Sequence, residues 1–195
     1  MSWEDRERVR KNIAKKNAEL LDIANDAKEK GVHPSIVRMV EMCYRASEDS
    51  SISVELYKGA TEKAITEFEK TQGIVIPSDY RKFLKFSNGA RVHVAVVEIC
   101  GVNKNEHYSL YKYNEEEYRR QNDMGERLPD NFLVIGVNGE GCPICVDLNN
   151  GEIILWDREM DSLRCIGDNF FDYLEEDVVG FLEWEMRDNG KNPSD

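Results

Sequence analysis

Two short helical patterns, joined by Gly and Pro between residues 61 and 89, constrain the fold of this chain more than any other feature. Thr61 can cap a first helix, in which Ile65 and Phe68 lie three residues apart on one face. Gly73 is placed to end this helix, because glycine readily adopts the left-handed conformation that follows a helix C-terminus. The pattern predicts two helices that meet at a tight turn. We call this segment the helix corner (residues 61–89).

The second helix of the corner is predicted to begin at Pro77, because a first helical turn does not need the missing N–H of proline. Asn88-Gly89 is expected to end this helix. Its apolar stripe follows the i, i+3, i+4 spacing of a buried helix face and consists of Tyr80, Phe83 and Leu84. These residues supply packing and no catalytic chemistry, so the corner is predicted to be a scaffold.

Apolar patterns downstream of the corner predict a series of strands. The predicted strands are residues 91–100, 132–137, 143–148, 153–156 and 163–166. Residues 107–113 are predicted as an aromatic strand or an ordered loop. Asn150-Gly151 predicts a two-residue hairpin, because both central residues of a type I′ turn need a positive φ.

Helices are predicted to flank these strands. Asn114 and Glu117 have capping-box spacing, which predicts a short helix. Asp168 is expected to cap a last helix that Asn189-Gly190 ends. The buried face of that helix is predicted to carry Phe171, Leu174, Val178 and Phe181. The whole pattern predicts an α+β fold with a mainly antiparallel (mixed) sheet flanked by helices.

The first fifty residues predict an N-terminal helical hairpin. Residues 3–30 read as a long charged helix, and Ser35 is placed to cap a second one. Residues 47–53 are small, polar and acidic, so they are the predicted linker. The expected division is a helical extension (1–50), the α+β domain (51–190) and a tail (191–195). Such a hairpin buries little surface alone. It is expected to pack on its own domain, with a homodimer through these helices as the alternative.

Composition and charge narrow the classes of function. The chain has 195 residues, is 41% hydrophobic and carries a net charge of −12. No apolar run is long enough for a membrane span, and the charged start does not resemble a signal peptide. The five cysteines are therefore expected to be reduced thiols in a cytoplasm. Basic patches with interleaved aromatics are absent, so neither a nucleic acid nor a membrane surface is an expected partner.

Most of the excess negative charge lies in residues 140–188, which contain fourteen acidic and three basic side chains. This distribution indicates either a solvated surface or an acidic surface that attracts a basic protein. The segment from Trp156 to Asp161 places an aromatic residue beside acids at the end of a strand, a composition typical of binding sites. The predicted partner-binding residues are Asp147, Trp156, Asp157, Glu159, Asp161 and Asp168.

Cys142-Pro143-Ile144-Cys145 is the one segment with the spacing of a redox motif. It continues into a strand pattern, however, and side chains three apart on a strand point to opposite faces. A bridged pair or a shared metal is therefore not expected, and neither is a cofactor. The histidines lack the neighbours needed for nucleophilic catalysis, and Glu69 is expected to be a structural carboxylate. The residues predict a protein that is not an enzyme.

The order of several motifs resembles the SUKH superfamily. The matching residues are Phe68-Glu69, Gly73, Ile76-Pro77, Tyr80, Phe83-Leu84 and Ser87-Asn88-Gly89, followed by Leu128-Pro129, residues 132–136, residues 145–148 with Asn150-Gly151, and residues 170–174. The resemblance covers roughly residues 52–187. Two features depart from the family pattern: the first fifty residues precede its core, and Cys142-Pro143 replaces a small polar pair.

The resemblance implies an immunity protein that binds and neutralises a cognate toxin of a polymorphic (contact-dependent) system. The expected partner is a basic toxin domain such as a nuclease, met through the acidic surface. The alternatives are a regulatory scaffold, like the fungal cell-wall-synthesis regulators of the same superfamily, and a thiol oxidoreductase that uses Cys142 and Cys145.

Overall fold

The computed structural model describes residues 3–47, 54–92, 97–104, 108–120, 127–160, 162–188 and 190. The chain divides into two compact units. The helical unit comprises the described residues within 1–54, 92–95 and 174–195, and the sheet unit comprises those within 55–91 and 96–173. No helix among the described residues combines the length and apolar character needed to cross a membrane.

The elements alternate between helices and strands along the chain. In order they are α1 (Trp3–Glu29), α2 (Pro34–Ser47), β1 (Val54–Lys58), α3 (Glu62–Gln72), α4 (Ser78–Phe86), β2 (Ser87–Val92), β3 (Val97–Ile99), α5 (Leu110–Tyr113), α6 (Glu116–Arg119), β4 (Phe132–Val137), β5 (Pro143–Asp147), β6 (Ile153–Asp157), β7 (Ser162–Gly167), α7 (Phe170–Tyr173), a π-helical segment (Leu174–Val179) and α8 (Gly180–Asp188). The predicted α+β class, with N-terminal helices ahead of an antiparallel sheet, is confirmed.

The helical unit contains the predicted N-terminal hairpin. Helices α1 and α2 pack together, and α2 also packs against the π-helical segment and α8. Arg38 on α2 donates to Glu175 (2.8 Å) and to Glu183 (2.7 Å), which ties α2 to these C-terminal residues. The prediction that Ser35 caps α2 is wrong, because the helix begins at Pro34 and Ser35 lies buried within its first turn. Residues 48–53 of the predicted linker lie outside the described residues.

Both helices of the helix corner are present, and α4 begins at Ser78, one residue after the predicted start at Pro77. The Thr61 hydroxyl accepts a hydrogen bond from the Ala64 N–H (3.2 Å), and Gly73 ends α3 with φ +68°. One oxygen of the Glu69 carboxylate accepts from the Ile76 N–H (2.9 Å) and from Arg81 (2.6 Å). Glu69 therefore joins the end of α3 to α4, and it is a structural carboxylate.

Aromatic packing fixes the corner to other parts of the sheet unit. The ring of Phe170 on α7 lies 5.0 Å from the ring of Tyr80 and 5.2 Å from that of Phe83, measured between centroids. The Tyr80 hydroxyl donates to the carbonyl of Cys100 (2.6 Å). All three rings are almost completely buried, so α4, α7 and the chain after β3 share one core.

The prediction that Asn88-Gly89 ends α4 is wrong, because the helix ends at Phe86 and both residues belong to β2. Gly89 has φ +102°, and a Cβ there would lie 2.9 Å from the carbonyl oxygen of Ile99. The Asn88 side chain accepts a hydrogen bond from the Val102 N–H (2.7 Å). The dipeptide thus allows the backbone of residues 99–102 to approach β2 closely.

The seven strands form one sheet in sequence order, from β1 to β7. The pairs from β3 to β7 are antiparallel, and the predicted strands β4 to β7 are confirmed within one residue at each end. The predicted single strand 91–100 is wrong, because this stretch contributes to two neighbouring strands, β2 and β3. Its residues 93–96 lie outside the described residues.

The hairpin at Asn150-Gly151 is present, but its loop is longer than predicted. The Asp147 N–H donates to the carbonyl of Glu152 (2.9 Å), so residues 148–151 form a four-residue loop. Gly151 supplies a positive φ of +88°. The apolar pattern predicts the two strands, whereas the hydrogen bond between residues 147 and 152 determines the length of the loop.

Two of the predicted local structures between β3 and β4 are wrong. Residues 110–113 form helix α5, capped by Ser109, instead of a strand or loop, and residue 107 lies outside the described residues. Helix α6 is present, but Asn114 does not cap it. The Asn114 side chain instead exchanges hydrogen bonds with the backbone N–H (2.9 Å) and carbonyl (2.8 Å) of Val134 in β4.

The last helical stretch begins one residue later than predicted. The Asn169 side chain accepts from the N–H groups of Phe171 (2.9 Å) and Asp172 (3.1 Å), so Asn169 is the cap and Asp168 is exposed. Of the predicted buried face, Phe171, Leu174 and Val178 are buried, and Phe181 is half-buried.

Candidate partner-binding surface

The candidate surface is centred on β6, β7 and the turn between them, which we call the outer hairpin (residues 153–167). One oxygen of the Asp157 carboxylate accepts hydrogen bonds from the N–H groups of Glu159 and Met160, each at 3.0 Å. Asp157 therefore fixes the turn, as short polar side chains often do. The side chains of Glu159 and Met160 are exposed beyond it, with Met160 at 76%.

Trp156 does not lie on this surface, contrary to the prediction of an aromatic contact residue. It is 3% exposed and belongs to a core cluster with Leu128, Phe132, Val134, Cys145 and Ile154. Because Asp157 is the last residue of β6, Trp156 is still within the strand, and its ring points into the sheet's covered face.

The ring of Trp156 nevertheless helps to place a charge near the turn. The Arg158 guanidinium carbon lies 5.1 Å from the centre of the Trp156 ring and 4.5 Å from that of Tyr118. Both distances are within the range of cation–π attraction. This packing directs Arg158 towards the covered side of the sheet.

Asp147 and Asp168 lie at the opposite end of the sheet. Asp147 ends β5 and accepts from the Asn131 side chain (3.0 Å) and the Asn149 N–H (2.9 Å). Asp168 follows Gly167, which pairs with Ile153 at the start of β6. Strand β6 has five residues, so about 15 Å separates this end from the turn at Asp157.

The predicted contact residues therefore do not form one patch. The structure brings together Asp157 and Glu159 at one end, and it places Asp147 and Asp168 at the other. Asp161 lies outside the described residues. The β4–β5 turn adds the exposed Glu140 to the Asp157 end, because Pro143 at the start of β5 and Asp157 at the end of β6 share that end of the sheet.

The acidic quarter of the sequence is also divided between the two compact units. Residues 140–173 contain eight acidic and two basic side chains, and residues 174–188 contain six acidic and one basic. The second group belongs to the helical unit, where Arg38 pairs with Glu175 and Glu183. The less neutralised acids near the outer hairpin are thus the better candidates for binding a cation.

A polar cleft of about 410 Å³ lies elsewhere in the sheet unit, between the end of α3 and the start of β4. Its charged residues pair with one another: Arg127 contacts Glu116 (3.0 Å) and Asp130 (2.5 Å). Arg119, which is buried, donates to the carbonyls of Phe132 (2.8 Å) and Pro129 (2.7 Å). These pairs leave the cleft without a net charge that would select a ligand.

The geometry of the Cys-x-x-Cys segment opposes thiol chemistry. Cys145 lies within β5, completely buried, and burial raises its pKa to about 12. Burial also raises the pKa of Cys142 above its ordinary value. Reactive thiols need a lowered pKa, so neither residue has the environment of a nucleophile. Within the described residues, no three His, Cys, Asp or Glu side chains come together as metal ligands do.

Comparison with known proteins identifies the family of this chain. Residues 59–176, more than half of the chain, match the SMI1 / KNR4 family (SUKH-1). The chain belongs to this family. The resemblance found in the helix corner and the strands is therefore confirmed, over a somewhat shorter stretch than residues 52–187.

One relative of this SUKH-1 chain is a curated bacterial protein. The chain is similar to the SPbeta prophage-derived uncharacterized protein YokK of Bacillus subtilis (strain 168). The identity is 24% in an alignment of 155 positions, which covers 67% of this chain and 81% of that protein. The similarity therefore extends over most of both proteins.

Two residues of the candidate partner-binding surface, Glu140 and the exposed Leu163, were not among the residues predicted from the sequence. Counting the hairpins could have found Glu140, since in four consecutive antiparallel strands the first and third turns lie at the same end of the sheet. The exposure of Leu163 has no comparable signal, because it depends on how far the layer that covers the sheet extends.

Proposed function

We propose that this SUKH-1 chain is an immunity-type binding protein that neutralises a cognate toxin domain without catalysis, in the cytoplasm. The observation that supports this most directly is the exposed acidic end of the outer hairpin on a SUKH-1 scaffold. Asp157 holds the turn, and Glu159 and Glu140 project from neighbouring turns at the same end.

The proposed partner is a basic toxin such as a nuclease. A nuclease carries positive charge where it holds the phosphates of its substrate. Carboxylates that cover this region compete with the nucleic acid and accelerate association at low ionic strength. The net charge of −12 also repels nucleic acid, so the chain would not bind the toxin's substrate.

Asp157, Glu159, Asp161 and Glu140 form the proposed contact set. Asp147 and Asp168 lie at the other sheet end, so they would contact only a partner that spans the whole strand length. The ring of Trp156 is in the core, so it is not available to a partner.

The test uses the toxin domain encoded beside the gene for this chain, with calorimetry for binding and inhibition of toxin activity as readouts. Glu140→Lys with Glu159→Lys reverses two exposed charges without touching the turn bonds. We expect the Kd to rise by at least about tenfold, as for hot-spot residues, and more at low salt. Asp157→Asn keeps the oxygen acceptor of the turn and removes its charge, so it reports the charge alone.

Glu19→Lys with Asp22→Lys on α1 is the matched control, since it also reverses two exposed charges and lies far along the chain from the outer hairpin. It should leave the Kd close to that of the wild type. Equal Kd values for the control and the Glu140→Lys, Glu159→Lys variant would exclude the acidic hairpin as the contact, and a toxin that is neither bound nor inhibited would refute the proposed function.

A further inference from the structure

We infer that the partner binds by adding an extended strand to the free edge of β7. This inference deepens the proposed function and rests on it, since it names the mode of docking at the same outer hairpin. Strand addition satisfies backbone N–H and carbonyl groups at a sheet edge, while alternate side chains supply specificity.

The first observation is that β7 is an exposed edge strand among the described residues. It is the last strand of the sheet, and in the described part of the chain β6 is its strand neighbour. Its four consecutive residues from Ser162 to Cys165 are all exposed. The strand at the other edge, β1, is mostly half-buried or buried. Exposed edge strands are templates for pairing with another chain.

The second observation is an apolar row that continues past the covered core. Leu163 pairs with Trp156, and Cys165 pairs with Ile154, so these side chains lie on the same sheet face. Trp156 and Ile154 are buried in the core cluster, yet Leu163 is 47% exposed and Cys165 is also exposed. An added strand would extend the sheet and cover this row.

The third observation is the distribution of charge along β7, which selects the occupant. Asp157 and Glu159 precede the strand, and Asp168 follows it, with Arg164 between. If a second copy paired antiparallel with β7, Asp157 and Glu159 of one copy would lie next to Asp168 of the other. If it paired parallel, each of these acids would lie next to its own counterpart. Both arrangements bring negative charges together, so a second copy is a poor occupant and a cationic segment is a suitable one.

The expected occupant is therefore a segment of the basic partner in which apolar residues alternate with polar ones and Lys or Arg stands at both ends, because a central cation would share the sheet face of Arg164. Its apolar side chains would face Leu163 and Cys165, and its terminal cations would meet Asp157, Glu159 and Asp168. This chemistry separates strand addition from a purely electrostatic contact, which would need no backbone pairing.

The experiment follows the backbone amide signals of the 195-residue chain by NMR during titration with a peptide about ten residues long, in which valine alternates with threonine and lysines stand at both ends. Weak strand addition is visible by this method at millimolar peptide. The control peptide carries N-methyl groups on alternate residues, which remove the pairing donors and keep every charge. We expect saturable shifts at residues 162–166 with the first peptide and none with the second.

A second measurement uses proline in the edge strand and the toxin domain described above. Successive N–H groups of an antiparallel strand point to opposite edges, so of Leu163→Pro and Arg164→Pro one disrupts the bond to β6 and the other blocks the free edge. Thermal unfolding identifies the free-edge variant as the one with the smaller loss of Tm. We expect this variant to bind the toxin at least about tenfold more weakly than the wild type.

The outcomes separate the two proposals. No amide shift at millimolar peptide, or the same shifts with the N-methylated peptide, would overturn strand addition. So would an unchanged Kd of the free-edge variant for a toxin that the wild type neutralises, and the proposed function would then stand. If the toxin is neither bound nor inhibited, the proposed function fails, and the peptide titration still decides whether β7 accepts a strand.

Discussion

The helix corner and the outer hairpin use similar residue types for opposite purposes. In the corner, Tyr80 and Phe83 are fully buried and pack on Phe170. In the outer hairpin, Met160 and Leu163 remain 76% and 47% exposed. The family is recognisable by the corner because packing restricts which residues can occur there. The residues available to a partner lie instead where packing imposes few restrictions.

The carboxylates of the two regions show the same contrast. Glu69 accepts hydrogen bonds from Arg81 and the Ile76 N–H, so its charge stabilises the corner. Glu159 lies exposed at the turn that Asp157 closes. An acid in a helix corner thus has a structural partner, whereas an acid at the hairpin tip can exchange water for a partner protein.

The largest expected effect tests this division directly. Phe83→Ala removes a fully buried ring from the shared core of α4 and α7. We expect it to lower the free energy of unfolding by about 3–5 kcal/mol. The control Leu163→Ala should lower it by about 0.5 kcal/mol or less, as exposed substitutions do. Urea denaturation measures both, and equal losses would break the comparison.

An intermediate effect concerns the pH dependence of stability. Burial raises the pKa of Cys145 to about 12, above that of an unfolded thiol. The stability from this group is therefore complete below the unfolded pKa and is lost as pH rises towards 12. Between about pH 9 and 11, removing this thiol should make the fall in unfolding free energy shallower by about 1.4 kcal/mol per pH unit.

Cys145→Ala provides this test, with urea denaturation repeated at each pH. Val146→Ala is the matched control, because it shortens a buried side chain of the same strand that carries no titrating proton, and we expect it to keep the wild-type slope. If the two alanine variants have the same slope, burial of Cys145 is not what holds its proton.

The smallest effect distinguishes two neighbouring residues at the start of α7. Asn169→Ala removes the side chain that accepts from Phe171 and Asp172, and should cost about 1 kcal/mol of stability. Asp168→Ala removes an exposed carboxylate and should leave the unfolding free energy nearly unchanged. If Asp168→Ala lowered the unfolding free energy more than Asn169→Ala, Asp168 would be the helix cap, as the sequence predicts.

Elements with a single strong local signal could be predicted from the sequence. Thr61, Gly73 and the spacing of Tyr80, Phe83 and Leu84 determine the helix corner, because caps and apolar periodicity act within a few residues. The strands β4 to β7 follow from apolar runs between turns in the same way. Local interactions therefore account for most of the fold.

The errors arose where a distant part of the chain decides the local structure. Asn88-Gly89 resembles a helix stop, yet its conformation serves the close approach of residues 99–102. Asn114 resembles a cap, yet its side chain binds β4. Trp156 resembles a surface anchor, because composition does not reveal that α6 brings Tyr118 over the same face. The roles of these residues can be predicted only when the tertiary contacts are known.

The order of the strands has a consequence for folding kinetics. Each strand from β4 to β7 pairs with its neighbour in sequence, so these hairpins close only short loops. Phe170 must instead return to Tyr80 across some 90 residues, at a much larger loss of chain entropy. We therefore expect the hairpins to form early, and the arrival of Phe170 at α4 to limit the rate at which the native state is reached.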